Sequence, residues 1–99
     1  MALISINPAT TEEIKSYPEY SSSDIEHILS KAINAQKKWS SLELVFRLEC
    51  INQIAGILRD KKREYASIMA NEMGKPIAQA IGEVEKCAWL CDYYKEYAP

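Results

Sequence analysis

The stretch "ANEMGKPIAQAIGEVEKCAWLCDYYKEYAP", residues 70–99, decides how this chain is read. Gly74 can take the left-handed backbone conformation that ends a helix. Lys75 precedes a proline and is pushed out of the helical region. Pro76 then suits the first turn of a new helix, where its missing N–H is no loss. The phrase predicts one helix stopping at Gly74 and another starting at Pro76 and running to the last residue. In that second helix Ile77, Ala80, Ile81, Val84, Cys87, Ala88, Cys91 and Tyr94 recur at helical spacing. Trp89, Leu90, Tyr93 and Tyr97 fall outside this stripe, so more than one face is apolar or aromatic. A helix of that kind is usually covered on two sides. The chain also stops at Pro99 without a C-cap or tail, which raises the expectation that it is the front part of a longer polypeptide.

Moving toward the N-terminus, residues 60–73 read as a helix burying Tyr65, Ile68, Met69 and Met73. Before it, Val45, Leu48, Ile51, Ala55 and Leu58 mark one side of another helix, opened by Ser40 and Glu43 at capping-box spacing. In "SSSDIEHILSKAINAQKKW", residues 21–39, Ser23 and Glu26 form a second such pair. Ile25, Ile28, Leu29, Ala32, Ala35 and Trp39 follow at helical spacing. Residues 1–20 differ. "ALISI" is short and β-prone, "NPATTE" carries turn chemistry with Asn7 first and Pro8 second, and "EIKSYPEY" is a second extended segment. The fold expected is mainly α with a short N-terminal β-hairpin: a hairpin over residues 1–20 and about four helices over 21–99. A lone two-stranded hairpin is marginal in water, so this one must lean on helices or on a larger sheet.

Composition sets limits on function. The 99 residues are 47% hydrophobic and 26% charged, as in a globular chain, with a net charge of −2. That balance gives no reason to expect nucleic acid or an anionic membrane as partner. The basic run "RDKKRE" (59–64) is interleaved with Asp60 and Glu64 and reads as a solvated helix junction. "MALISINPAT" lacks a basic n-region and a long apolar core, so it is no signal peptide. No apolar run reaches the roughly 18–20 residues of a membrane span, and the expected location is the cytoplasm.

Templates for chemistry come back empty. The cysteines, Cys50, Cys87 and Cys91, are odd in number and suit no disulfide framework. They read as small, reduced, mostly buried hydrophobes, and the one histidine, His27, as an exposed helix-surface residue. Zinc needs more ligands at matching spacing, so no metal site is expected. Gly56, Gly74 and Gly82 are too far apart for a dinucleotide loop. The "GK" at 74–75 fails as a phosphate loop, because Met69 stands for its first glycine and Pro76 for its Ser or Thr. Cys91 lies near a helix C-terminus, where the dipole disfavours a thiolate, and Lys86 points to a different face from Cys87. Glu72, Glu83 and Glu85 read as solvated charges without a second acid for proton transfer. No catalytic, cofactor-binding or metal-binding residue is therefore assigned.

One resemblance adds to this reading. "SINPATTEEIKSYPEYSSSDIEHILSKAINAQKKWSS", residues 5–41, resembles the opening of an aldehyde dehydrogenase subunit, with its Asn-Pro-Ala-Thr hairpin turn, a helix beginning like Asp24-Ile25-Glu26 and a Trp like Trp39. A helix with an Arg like Arg47 follows, then Glu72-Met73-Gly74-Lys75-Pro76 ahead of an acidic helix carrying Glu83. That phrase is the most specific piece, and the ordered set covers essentially the whole chain. "LCDYYKEYAP" further resembles the succinate-semialdehyde dehydrogenase branch. The chain departs at Thr11, where the family often has Gly, which would permit a positive φ.

The resemblance implies a parent subunit of several hundred residues with an α/β, Rossmann-like cofactor domain, of which residues 21–99 would be the helical N-terminal part. It implies NAD or NADP as cofactor, an aldehyde as substrate, and a homodimer or homotetramer. Such enzymes form a covalent adduct on a cysteine thiolate, pass hydride to the nicotinamide, and hydrolyse the thioester. The motifs for those steps would lie beyond residue 99, and Cys50, Cys87 and Cys91 match none of them. Two readings compete with this one. In the first, the chain is a stand-alone helical interaction module with no catalytic activity. In the second, it is a small redox or metal protein using Cys87 and Cys91.

Overall fold

The computed structural model describes residues 2–99. Two strands, β1 (Ala2–Ile6) and β2 (Glu13–Pro18), are followed by four helices: α1 (Ser22–Ser41), α2 (Leu44–Asp60), α3 (Lys62–Met73) and α4 (Ile77–Tyr97). The strands pair antiparallel from Ala2↔Pro18 to Ile6↔Glu13, with an irregularity between Ser5 and Ile6. Asn7 builds the turn as expected. Its side-chain oxygen accepts from the Ala9 and Thr10 N–H groups at 2.9 and 3.2 Å, and its carbonyl accepts from Thr11 at 2.8 Å. Thr11 closes that turn with φ +64°, the left-handed region where a β-branched residue is strained. Thr11→Gly is therefore expected to stabilise the fold by about 0.5–1 kcal/mol, read as a rise in the urea midpoint, provided relief of strain outweighs glycine's greater unfolded-state freedom.

Helix starts depart from the capping boxes read in the sequence. The N-cap of α1 is Ser21, not Ser23, and its box partner is Asp24, not Glu26. Asp24 N–H donates to the Ser21 hydroxyl at 3.1 Å, and Ser21 N–H donates to the Asp24 carboxylate at 3.0 Å. The Ser21 backbone N–H, with its side chain second, holds the Asp24 carboxyl below the usual carboxylate range. Three consecutive serines can each cap, and the short Asp at the third position selects the first of them. Ser40 and Glu43 form no box. The Ser40 and Ser41 hydroxyls instead donate to the carbonyls of Lys37 and Lys38, at 3.1 and 2.7 Å, inside the last turn of α1. Glu43 is itself the N-cap of α2, without a side-chain cap hydrogen bond.

The core sits where α4 crosses α2 and α3, and it is built of small residues. Ala55, Ala66, Ala80, Val84 and Ala88 are at most 2% exposed, and no large side chain among the described residues is fully buried. Ala80, Val84 and Ala88 fall four apart on α4 and so form one stripe. Small residues there let the helix backbones approach closely. Two expectations for α3 fail as a result: Ile68 and Met73 are exposed and Ala66 takes the buried position, while Tyr65 and Met69 are half-buried. Cys50 and Cys87 are exposed and Cys91 half-buried, contrary to the buried reading. α1 buries no residue at all, and Ile25, Ile28, Leu29 and Ile33 face outward.

The shape explains this pattern. The chain measures 47 × 40 × 16 Å, with a radius of gyration of 17.5 Å. A compact chain of this length has a radius near 13 Å. Sixteen ångström is little more than one helix thick. Stable domains pack at least two layers around a core, and this slab is one layer with apolar side chains on its surfaces.

Candidate functional site

The phrase Glu72-Met73-Gly74-Lys75-Pro76 forms the junction between hairpin and helices. Gly74 is the C-cap of α3 at φ +69°, and its N–H donates to the Ala70 carbonyl at 3.0 Å. A Cβ built on Gly74 would lie 3.2 Å from Cγ of Pro8, in the hairpin turn. Two residues earlier, Glu72 accepts a 2.6 Å hydrogen bond from the Ser5 hydroxyl of β1. Glycine is thus required here by backbone conformation and by the close approach of Pro8 together. The hairpin leans on the end of α3, which is the support that a two-stranded unit needs.

Just past this junction a surface groove of about 770 Å³ runs along α4, lined by Lys75, Glu83, Lys86, Cys87, Trp89, Leu90 and Tyr93. Lys75 pairs with Glu83 across its mouth. Tyr93 meets Tyr94 edge-on with centroids 5.4 Å apart and leans on Tyr97 at 4.9 Å. Trp89, Leu90, Tyr93 and Tyr97 are each more than half exposed. The second apolar face read in the sequence is therefore real.

Charged residues tie the helices together. Lys62 donates to Glu85 at 2.9 Å, and Arg59 pairs with Asp92, its second contact being 3.4 Å. The Arg59 guanidinium holds the Asp92 carboxyl below its usual range, and Asp92 in turn pushes Arg59 up. These pairs are partly exposed and each contributes little to stability. They revise the reading of residues 59–64, because Arg59 and Lys62 dock α4 rather than standing free in solvent. Glu83 and Glu85 are likewise paired.

The single-residue candidates stay apart. His27 is exposed on α1, Cys50 lies on α2, and Cys87 and Cys91 lie one turn apart on α4. Among the described residues no three His, Cys, Asp or Glu side chains come together as a metal site. Gly56 and Gly82 lie within helices and Gly74 caps one, so the glycines form no loop to cradle phosphates. No described helix is long and apolar enough to cross a membrane. What the surface does offer is wide apolar and aromatic faces.

Known proteins resemble this chain over nearly its whole length. Residues 2–99 match the model of the aldehyde dehydrogenase family. The chain is 42% identical over 96 residues to the succinate semialdehyde dehydrogenase [NAD(P)+] of Escherichia coli (strain K12), covering 97% of this chain and 21% of the relative. It is 35% identical over 98 residues to the probable succinate-semialdehyde dehydrogenase [NADP(+)] of Synechocystis sp. (strain ATCC 27184 / PCC 6803 / Kazusa), covering 99% and 22%. Among solved structures, the Streptococcus pyogenes succinic semialdehyde dehydrogenase in complex with NADP+ superposes with a TM-score of 0.88 at 34% identity, over 96% of this chain and 21% of that one. The NAD-dependent aldehyde dehydrogenase from Sinorhizobium meliloti gives 0.89 at 29% identity, over 99% and 20%. The chain thus spans about a fifth of the length of the relatives it matches.

Proposed function

The chain belongs to the aldehyde dehydrogenase family, and from that premise we propose that it is the N-terminal layer of an NAD(P)-dependent enzyme oxidising succinate semialdehyde to succinate. The observation that carries this reading is the in-order match of the whole chain to succinate-semialdehyde dehydrogenases of about five times its length. The apolar faces of α1 and α4 support it, since a one-layer slab needs a second layer. Nucleotide, nucleophile and general base belong, on this reading, to the other four-fifths of the subunit. A nicotinamide cofactor bound there would supply hydride acceptance. This chain's own residues hold the frame: Gly74 and Pro8 set the hairpin against α3, and the alanine stripe sets α4 against α2 and α3. Residues 21–99 would then be the helical start of the cofactor-binding domain, in a cytoplasmic homodimer or homotetramer.

The test is to read the gene past the Pro99 codon, express the full polypeptide, and follow NAD(P)H at 340 nm with succinate semialdehyde and shorter aldehydes. The reading expects several hundred further codons, including a cysteine in a glycine-rich setting, and turnover preferring succinate semialdehyde. Residues 1–99 alone are expected to give no NAD(P)H above blank and to self-associate. A natural stop codon after Pro99, or turnover by the 99 residues alone, would overturn it. A stop codon joined to a sharp, concentration-independent melt of the 99-residue monomer would favour the interaction module instead.

A further inference from the structure

Arg47 is the fourth residue of α2, and its Nε is buried without a hydrogen-bond partner among the described residues. None of the ion pairs among those residues includes it. A buried guanidinium N–H without an acceptor carries the full cost of desolvation. It needs an acceptor, and a carboxylate returns most, through charge-assisted and bidentate hydrogen bonds.

Its position sharpens the need. The first turn of a helix carries the positive end of the dipole, which disfavours a cation and favours an anion. Here that turn holds no acidic residue, and Glu43 makes no side-chain cap bond to it. Leu42, Leu44, Val45 and Phe46 around Arg47 in sequence are between 38% and 62% exposed. They give the corner an apolar rim that would shut out water once covered. Arg59, Lys62 and Lys75, by contrast, each already have an acid of α4 as partner.

We propose that Arg47 is an ion-pair socket through which this layer receives an Asp or Glu side chain from the part of the subunit outside residues 1–99. The inference rests on the function proposed above, because that reading supplies the second layer. The acidic segment would pack on the Leu42–Arg47 corner, its carboxylate taking Nε–H and a terminal N–H of the same guanidinium. That one contact would satisfy the buried donor and place a negative charge at the start of α2. Arg47 is in this sense a positioning residue for the joint between the layers.

The experiment uses the full-length polypeptide carrying Arg47→Met, Arg47→Lys or Arg47→Glu, followed by thermal midpoint and by aldehyde-dependent NAD(P)H formation. Methionine keeps the apolar stem and removes the charge, so its midpoint is expected to fall by about 5 °C or more. Lysine, a cation without the planar fork, should recover part of that loss. Selection for restored activity in the Arg47→Glu background is expected to return an Asp or Glu changed to Lys or Arg at a position outside residues 1–99. An Arg47→Met protein melting with the parent overturns the inference, as does a restoring change within residues 1–99 or one with no bearing on charge. An inactive parent polypeptide overturns the functional reading instead, whatever the Arg47 variants do.

Discussion

Ala66→Leu is expected to destabilise the fold by about 3 kcal/mol, the upper part of the range for forcing extra carbon into a packed core. Ala66 has 0% exposure on α3, and Ala80 on the facing helix α4 is equally closed, so neither side chain has solvent to retreat into. The added atoms must push α3 and α4 apart. The buried set consists of four alanines and one valine, so it contains no long side chain that could make room by changing rotamer. Ala78→Leu is the matched control: it lies on α4 but is exposed, and should change stability by no more than about 0.5 kcal/mol. Urea midpoints of the two variants decide the matter. Equal shifts for Ala66→Leu and Ala78→Leu would mean that close helix approach is not what holds this layer.

Gly74→Ala is expected to cost about 2 kcal/mol, from two separable causes. The left-handed backbone at φ +69° costs a side-chain-bearing residue about 1 kcal/mol, and the new Cβ meets Cγ of Pro8 at 3.2 Å. Pairing Gly74→Ala with Pro8→Ala should remove the contact and leave only the backbone part, so that a double-mutant cycle isolates the contact as a coupling between the two positions. Additive single and double changes would show that the hairpin turn does not rest on the α3 cap.

The same two positions show what the sequence could and could not disclose. Gly74 and Pro76 announced the break between α3 and α4 because their backbone preferences are intrinsic and need no neighbour. Asn7 announced the hairpin turn for the same reason. The serine caps were less legible: three adjacent serines compete, and the choice rests on which acid lies three residues on, Asp24 for Ser21 or Glu26 for Ser23. Burial was the least legible property. Ile68 and Met73 are hydrophobic and correctly spaced, yet Ala66 takes the closed position, because which face is covered depends on where α4 crosses. Spacing alone contains nothing about that crossing. The closeness of Pro8 to Gly74 is a contact 66 positions apart and leaves no trace in local pattern. The orphaned Nε of Arg47 was invisible for a like reason, since an arginine in a first helical turn reads as solvated until its surroundings are known.

The 16 Å thickness of the slab has a consequence in time as well as space. On the proposed function, a subunit about five times this length, as its relatives have, would leave some 370 residues, at a rough count, still to be made when this layer clears the ribosome. At about 5–20 residues per second, synthesis of the remainder takes on the order of 20–70 seconds. Throughout that interval Trp89, Leu90, Phe46 and Val45, each at least 56% exposed, would be offered to water without the second layer proposed for them. Helices and hairpin form within microseconds, so the layer spends nearly all of that time as secondary structure awaiting a lid. Apolar surface left bare for so long would be open to chaperones and to other nascent chains. Pausing of translation after the α4 codons would lengthen that exposure, and a holdase bound to this layer would shorten the time it spends bare.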